Sequence, residues 1–399
     1  MGKVFITGIG AISSLGLNVQ ENLAALRAGK TGIGKAKHFQ SKYTESLYFA
    51  EIDASDEALK ESCEVLQEKE FTRTTLIALT AFSEAIKDAN LSNLEISSPS
   101  TAFISSSTVG GMCYTDNLYA DANLTGEPSD FVKSYEGSDH TLRIVKKYGI
   151  VGYTDTINTA CSSSANAIML GVKLIKSGRA KRVIVGGSDC LAKYTVNGFN
   201  SLRILSEEPC KPFDKMRDGL TLGEAAAYLV LESEELVSNK YKYAEVVGYG
   251  NSNDAFHPSA TSDEAIGPVK AMRLALEKAN LLPNQIDYIN AHGTGTPNND
   301  ITESAAFATV FETVPPYNST KSYTGHTLAA SGALETIFCV LSINNSELYE
   351  SLQCTKPISE YDFEPINRYR NSMNIQHAMT NSFGFGGNCT SIILSKCLL

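Results

Sequence analysis

Two periodicities alternate along the chain, and they mark out its elements. Period-two or fully apolar β-branched runs predict strands over residues 3–7, 101–106, 153–157, 182–187 and 225–232. Between them, apolar residues three and four apart predict a short helix over 19–26 and one or two more within 57–90. A further helix carries Ala165, Ile168, Val172 and Ile175 on one face and stops at Gly178. Residues 121–140 are polar with weak periodicity, which predicts a surface excursion or a subunit contact. Residues 209–219 form a dense turn.

After residue 240 the pattern starts again. Residues 243–250 resemble 3–10, each a β-branched strand ending in Gly-X-Gly. Gly8-Ile9-Gly10 lacks the third glycine and the later acidic residue of a dinucleotide fingerprint, so the glycines are expected to permit close backbone packing. Residues 320–323 lead into Gly325-His326-Thr327 and a helix with Leu328, Gly332, Thr336 and Val340 on one face. That repeats the strand, reactive residue and helix order around Cys161. The pattern therefore predicts a duplicated α/β unit, halves 1–240 and 241–399, with Cys161 and His326 in equivalent places.

Composition narrows the class. With 43% hydrophobic and 20% charged residues the chain reads as globular. A net charge of −10 argues against a general nucleic-acid or acidic-membrane binder. Nine cysteines without CxxC pairs fit a reducing compartment, and a cytoplasmic protein is expected. No run approaches the ~18 apolar residues of a bilayer span. The apolar residues 4–17 are broken by glycines, and no leader cleavage site follows.

The chemistry concentrates at turns. Cys161 stands where a strand meets a helix, and free amides there would lower a thiol's pKa. The alternative is a buried structural thiol. His292 lies in a Gly-Thr turn directly after a predicted strand over 286–289, where ligands collect in α/β sheets. His326 begins another helix, whose dipole should keep the imidazole neutral and able to donate a hydrogen bond. Lys321 and Glu335 bracket it, either as solvated charges or as a buried pair. Near the C-terminus, Gly384, Gly386 and Gly387 surround Phe385, an arrangement suited to a hinged apolar gate.

Together these segments resemble the β-ketoacyl-acyl carrier protein synthases. The resemblance rests on Thr-Ala-Cys-Ser-Ser-Ser at 159–164, His-Gly-Thr-Gly-Thr-Pro at 292–297 and Lys-Ser-Tyr-Thr-Gly-His at 321–326, and spans nearly the whole chain. It implies a thiolase-like α/β fold, two duplicated βαβαβαββ halves in a five-layer α-β-α-β-α sandwich, usually dimeric. By motif, Cys161 would be the acylated nucleophile of a Cys-His-His elongating type, with His292 and His326 serving decarboxylation and condensation. Lys321 and Glu335 would support them, as would Asp300 and Glu303. The oxyanion donors would be the Cys161 and Phe385 amides, Phe385 gating between Gly384 and Gly386. Residues 254–257 would move with that gate, and Val109, Thr294 and Thr296 would contact substrate.

No metal or cofactor is implied beyond the phosphopantetheine arm of an acyl carrier protein, for which Lys133, Arg203 and Lys211 are candidate basic contacts. Asn388-Cys389, where the commoner pattern is Thr-Asn, departs from the family and leaves the pathway open, fatty acid or type II polyketide-like. A homodimer is expected; the alternatives are a heterodimer with a chain-length-factor-like partner, or a priming malonyl-carrier decarboxylase. A metal hydrolase lacks a His-x-x-x-His spacing.

Overall fold

The computed structural model describes residues 2–397 apart from Thr125, Glu127, Pro128 and Asp130. Ten strands run in chain order as β1 (Val4–Ser13), β2 (Thr101–Ser106), β3 (Thr154–Ile157), β4 (Arg182–Asp189), β5 (Ala225–Ser233), β6 (Ala244–Asn253), β7 (Tyr288–Asn290), β8 (Tyr317–Asn318), β9 (His377–Phe383) and β10 (Asn388–Ser395). Their spatial order is β3-β2-β4-β5-β1-β6-β10-β9-β7-β8. Renumbering each half from its own first strand makes this a palindrome. The pairing senses match too: β1–β5, β4–β5, β6–β10 and β9–β10 are antiparallel, while β2–β3, β2–β4, β7–β8 and β7–β9 are parallel. Within the sheet, the halves meet where β1 pairs with β6, Phe5 opposite Glu245 and Ile6 opposite Ala244.

Strand alternation sorts the core into three layers. On β5, Ala225, Ala227, Leu229 and Leu231 face a central cluster, whereas Ala226, Tyr228 and Val230 face an outer one. On β10, Ile392 and Leu394 face the centre and Ile393 the opposite outer cluster. The central layer holds helices Ser163–Lys176 and Ser331–Asn345; Arg73–Asp88 covers one outer face, Ile266–Ala279 and Pro297–Val310 the other. Helix, sheet, helix, sheet, helix is the thiolase-like architecture. A sheet buried on both faces explains why its strands read as continuous apolar runs.

The Gly-X-Gly pairs do what close packing requires. A Cβ on Gly8 would lie 2.5 Å from the Ala85 carbonyl oxygen and one on Gly10 2.1 Å from that of Ala81. On β6 the corresponding distances are 2.3 Å from Gly248 to Ala275 and 2.0 Å from Gly250 to Ala271. Only glycine lets each outer helix rest on the first strand of its half.

Three expectations need amending. Residues 320–323 are not a strand: β8 is Tyr317–Asn318, and Lys321–Thr324 is one helical turn. The 121–140 segment, part of which lies outside the described residues, ends in a helix, Asp139–Tyr148, that buries His140 and Ile144. Among the described residues Leu328–Asn345 is long and apolar enough to cross a membrane, but 89% of it is buried within the molecule, so it is a core helix apolar on all sides.

Candidate active site

The nucleophile turn is strained into shape. After β3, Ala160 adopts a left-handed φ of +54°, a conformation that costs a non-glycine residue on the order of 1–3 kcal/mol. Two bonds hold it: Ser163 Oγ donates to the Ala160 carbonyl at 2.5 Å, and the Thr159 amide donates to Ser163 Oγ at 2.9 Å. This places Cys161, 5% exposed, before the helix Ser163–Lys176. The backbone amides of Phe385 and of Cys161 itself hydrogen-bond the sulfur. Contrary to the expected lowering, the thiol is pushed up to about 11: burial outweighs those amides and the nearby Lys321 charge. The resting group is a thiol.

The histidines come from the other half. At the end of β7, Glu303 accepts from the His292 and Gly293 amides, both at 2.8 Å, and so fixes the turn. His326 is tied through its amide to the Thr221 carbonyl at 2.7 Å. The rings meet edge to face, centroids 5.5 Å apart at 87°. Ligand atoms of Cys161, His292 and His326 all lie within 4.8 Å of one another.

Burial, with the Lys321 charge, drives both imidazoles well below their usual range, so they are neutral. Their tautomers follow from their neighbours. Nδ1 of His326 accepts from the Leu328 amide at 3.2 Å, and Nδ1 of His292 lies 3.3 Å from the Lys321 Nζ, a donor. Each proton is therefore on Nε2. Lys321 donates to Glu335 at 2.5 Å, and both are buried: the paired reading of these charges holds. This geometry does not suit a cation, since an ammonium group stands beside one imidazole and the other has its Nδ1 lone pair engaged.

A cavity of about 250 Å³ reaches these groups. Cys161, His292, His326, Thr294, Thr296, Gly384 and Phe385 line it, as does His257. Phe385 stacks on Phe199, centroids 5.6 Å apart at 19°. Gly386 has φ of +82° and its amide donates to the Pro258 carbonyl at 2.8 Å, and the Asp254 amide donates to the Gly387 carbonyl at 2.8 Å, so the 254–258 loop is bonded to the 384–387 turn. Gly384 differs from its neighbours: it is not left-handed, but a Cβ there would lie 2.7 Å from the Thr159 carbonyl.

Not every expected contact is present. Val109 does not line this cavity; it is 1% exposed in the outer core of its half, its amide donating to Asp189 Oδ1 at 2.9 Å. Asp300 is a buried anchor, accepting from the Phe213 amide at 2.7 Å. Arg203 adjoins Ile204 of the cavity wall; Lys133, also exposed, lies in the field of Glu70 instead. Sequence reasoning missed Phe199, Ile204, Leu220 and Cys389 on the wall, because no local period distinguishes a cavity-facing apolar residue from a core one. It also missed Asp189, which binds the amides of Thr108, Val109 and Ala329 and so ties the turn after β2 to the segment after His326.

The "Beta-ketoacyl synthase, N-terminal domain" family model matches residues 1–236 and the "Beta-ketoacyl synthase, C-terminal domain" model residues 243–355. A 3-oxoacyl-[acyl-carrier-protein] synthase 2 from Coxiella burnetii is 33% identical, the match covering 99% of this chain and 98% of that one. Among solved structures, the ishigamide ketosynthase/chain length factor superposes with a TM-score of 0.92 at 28% identity over 100% of both chains. The ketosynthase ApeO, in complex with its chain length factor ApeC from Xenorhabdus doucetiae, gives 0.85 at 30% identity, covering 99% of this chain and 98% of that one.

Proposed function

The chain belongs to the β-ketoacyl synthase family, and from that premise we propose that it is a 3-oxoacyl-[acyl-carrier-protein] synthase, an acyltransferase that forms a carbon–carbon bond. One observation carries the reading. A thiol with two amides on its sulfur faces two neutral imidazoles within 4.8 Å, on the wall of a cavity of about 250 Å³.

In the first half-reaction Cys161 Sγ attacks a carrier-bound acyl thioester. The oxyanion forms against the Cys161 and Phe385 amides. Its collapse breaks the carbon–sulfur bond to the carrier, whose thiol leaves with the proton that Cys161 gave up. In the second, the bond from the malonyl α-carbon to its carboxylate breaks and carbon dioxide departs. The electron pair becomes an enolate whose oxygen is met by the Nε2 protons of His292 and His326. Neutral donors suit this step: they stabilise the developing charge without simply holding the malonyl carboxylate as an ion pair. The α-carbon then attacks the acyl carbonyl, the bond to Cys161 breaks, and the returning thiolate takes a proton.

The remaining assignments belong to this reading. Lys321 and Glu335 keep His292 neutral and oriented. Thr294 and Thr296 border the path of a phosphopantetheine arm, and Arg203 and Lys211 are the basic contacts for an acidic acyl carrier protein. Residues 1–240 and 241–399 act as the two thiolase-like halves, and two copies of the chain form the working dimer. The two solved relatives that include a chain length factor support a second arrangement, a heterodimer with such a partner.

Intact-mass spectrometry after incubation with a panel of acyl-carrier proteins tests the assignment: an acyl mass on Cys161 is expected, and no adduct with any primer would overturn it. Product analysis with malonyl-carrier protein then separates chain extension from plain decarboxylation.

A further inference from the structure

The two amides that meet the Cys161 sulfur come from opposite halves of the chain, so their spacing depends on whatever joins the gate to the nucleophile turn. Between them lies a knot of polar side chains centred on one atom, the Asn388 amide oxygen. It accepts from Ser162 Oγ at 2.7 Å, Asn166 Nδ2 at 2.8 Å and Asn251 Nδ2 at 2.9 Å. Ser162 directly follows the nucleophile and Asn166 lies in the first turn and a half of its helix, while Asn251 is on β6. The Asn388 carbonyl also closes the gate, accepting from the Gly384 amide at 2.8 Å. One residue thus bonds both to the loop bearing the Phe385 amide and to the turn bearing the Cys161 amide.

The chemistry requires an amide here. Two side-chain NH₂ groups and a hydroxyl converge, so the group they surround must be an acceptor, and an uncharged carbonyl oxygen meets them without placing a carboxylate beside a developing oxyanion. Threonine, the commoner family residue, is shorter and branched at Cβ, and cannot place a carbonyl oxygen there.

Resting on the functional reading above, we propose that Asn388 is a positioning residue that sets the separation of the two oxyanion donors. It acts in acyl transfer, where both amides are used, and not in malonyl decarboxylation, where the imidazoles are used. The distinction gives a readout that a merely structural role would not move.

The test compares two rates in the full-length chain: single-turnover charging of Cys161 by an acyl-carrier thioester, followed by intact mass, and carbon dioxide release from malonyl-carrier protein. Asn388→Ala should slow charging about 10- to 100-fold with decarboxylation unchanged, and should lower the melting temperature because three donors lose their acceptor. Asn388→Thr, which keeps one hydroxyl acceptor, should fall between it and wild type. Charging at the wild-type rate in Asn388→Ala, or parallel loss of both rates, would overturn the proposal. If Asn388→Ala does not fold, the same ratio is read from Asn388→Thr, and an unchanged ratio overturns it. A wild-type chain that takes no acyl group would instead sink the functional reading.

Discussion

The two halves share a strand order and a packing device, yet they present opposite chemistry at the same topological point. After β3 the chain makes a tight left-handed turn at Ala160 and exposes a thiol to two amides. After β8 it makes a helical turn and offers His326, its Nδ1 engaged by Leu328, so that only the Nε2 proton is left to act. The outer edges differ as well. Among the described residues, β3 is half-exposed and β8 is buried. Val151 and Tyr153, just before and at the start of β3, are 66% and 41% exposed. The shared strand order is the common scaffold, and the two turns differ in placing a thiol at one and an imidazole at the other.

The largest effects separate those turns. Cys161→Ala should abolish acyl transfer, a loss of ~10³-fold or more, because the proposed covalent intermediate can no longer form. Carbon dioxide release from a malonyl thioester should persist. His326→Ala should do the reverse: charging survives while decarboxylation falls by ~10²- to 10³-fold, the usual loss for one oxyanion donor. Intact mass and carbon dioxide release on each variant check the crossing pattern. Parallel losses in both variants would mean the halves do not divide the work.

The next effect is on stability and lies wholly in the C-terminal half. Lys321 and Glu335 are 1% and 4% exposed at their side chains, and Glu335 Oε2 has no hydrogen-bond partner. Lys321→Ala would leave a lone buried carboxylate, at a cost of ~3–5 kcal/mol. Lys321→Met with Glu335→Leu removes both charges and should recover most of that stability without recovering activity. Urea unfolding of the single and double variants measures both.

How much of this was legible follows from what each signal encodes. Strand and helix periods gave the five strands of the N-terminal half and its helices at 19–27, 73–88 and 163–176, but not those at 115–124, 139–148 and 193–201, and the recurrent Gly-X-Gly gave the duplication, because backbone packing is written in local residue size. The two histidines were legible as outliers in glycine-containing turns, where an imidazole has no packing role, and Cys161 by its place where a strand meets a helix. The surroundings of Val109, in the outer core of its half, were not legible because the direction of a side chain is decided by tertiary contacts. The Cys161 shift was misjudged because helix-end amides are local, whereas burial is a property of both halves together.

A pH comparison sharpens the contrast further. His140, in the N-terminal half, is fully buried between Ser105 Oγ at 2.7 Å and the Thr141 hydroxyl, and burial pushes it down to about 4 from 6.5. Below pH 6.5 the unfolded chain binds a proton that the folded chain refuses, so stability falls as pH drops from 6.5 towards 4. The contribution approaches ~3 kcal/mol across that window. His292 and His326 act with the same sign from the other half. His140→Asn, which cannot titrate, should flatten the stability curve over that range by about that amount, measured by urea midpoints at stepped pH.

The smallest effect tests whether the halves remain equivalent where chemistry does not intervene. Gly10 and Gly250 occupy the same place on β1 and β6, with hypothetical Cβ atoms 2.1 and 2.0 Å from the carbonyl oxygens of Ala81 and Ala271. These neighbours are helix backbone and cannot rotate away, so an added methyl must push the outer helix off its sheet. Gly10→Ala and Gly250→Ala should each cost ~1–3 kcal/mol, the usual penalty for overpacking. The two costs should agree, because strand, helix and contact are the same in both. A large loss in one half with none in the other would mean that one outer helix is seated by something other than its glycine pair, and that the repeat survives in topology but not in packing.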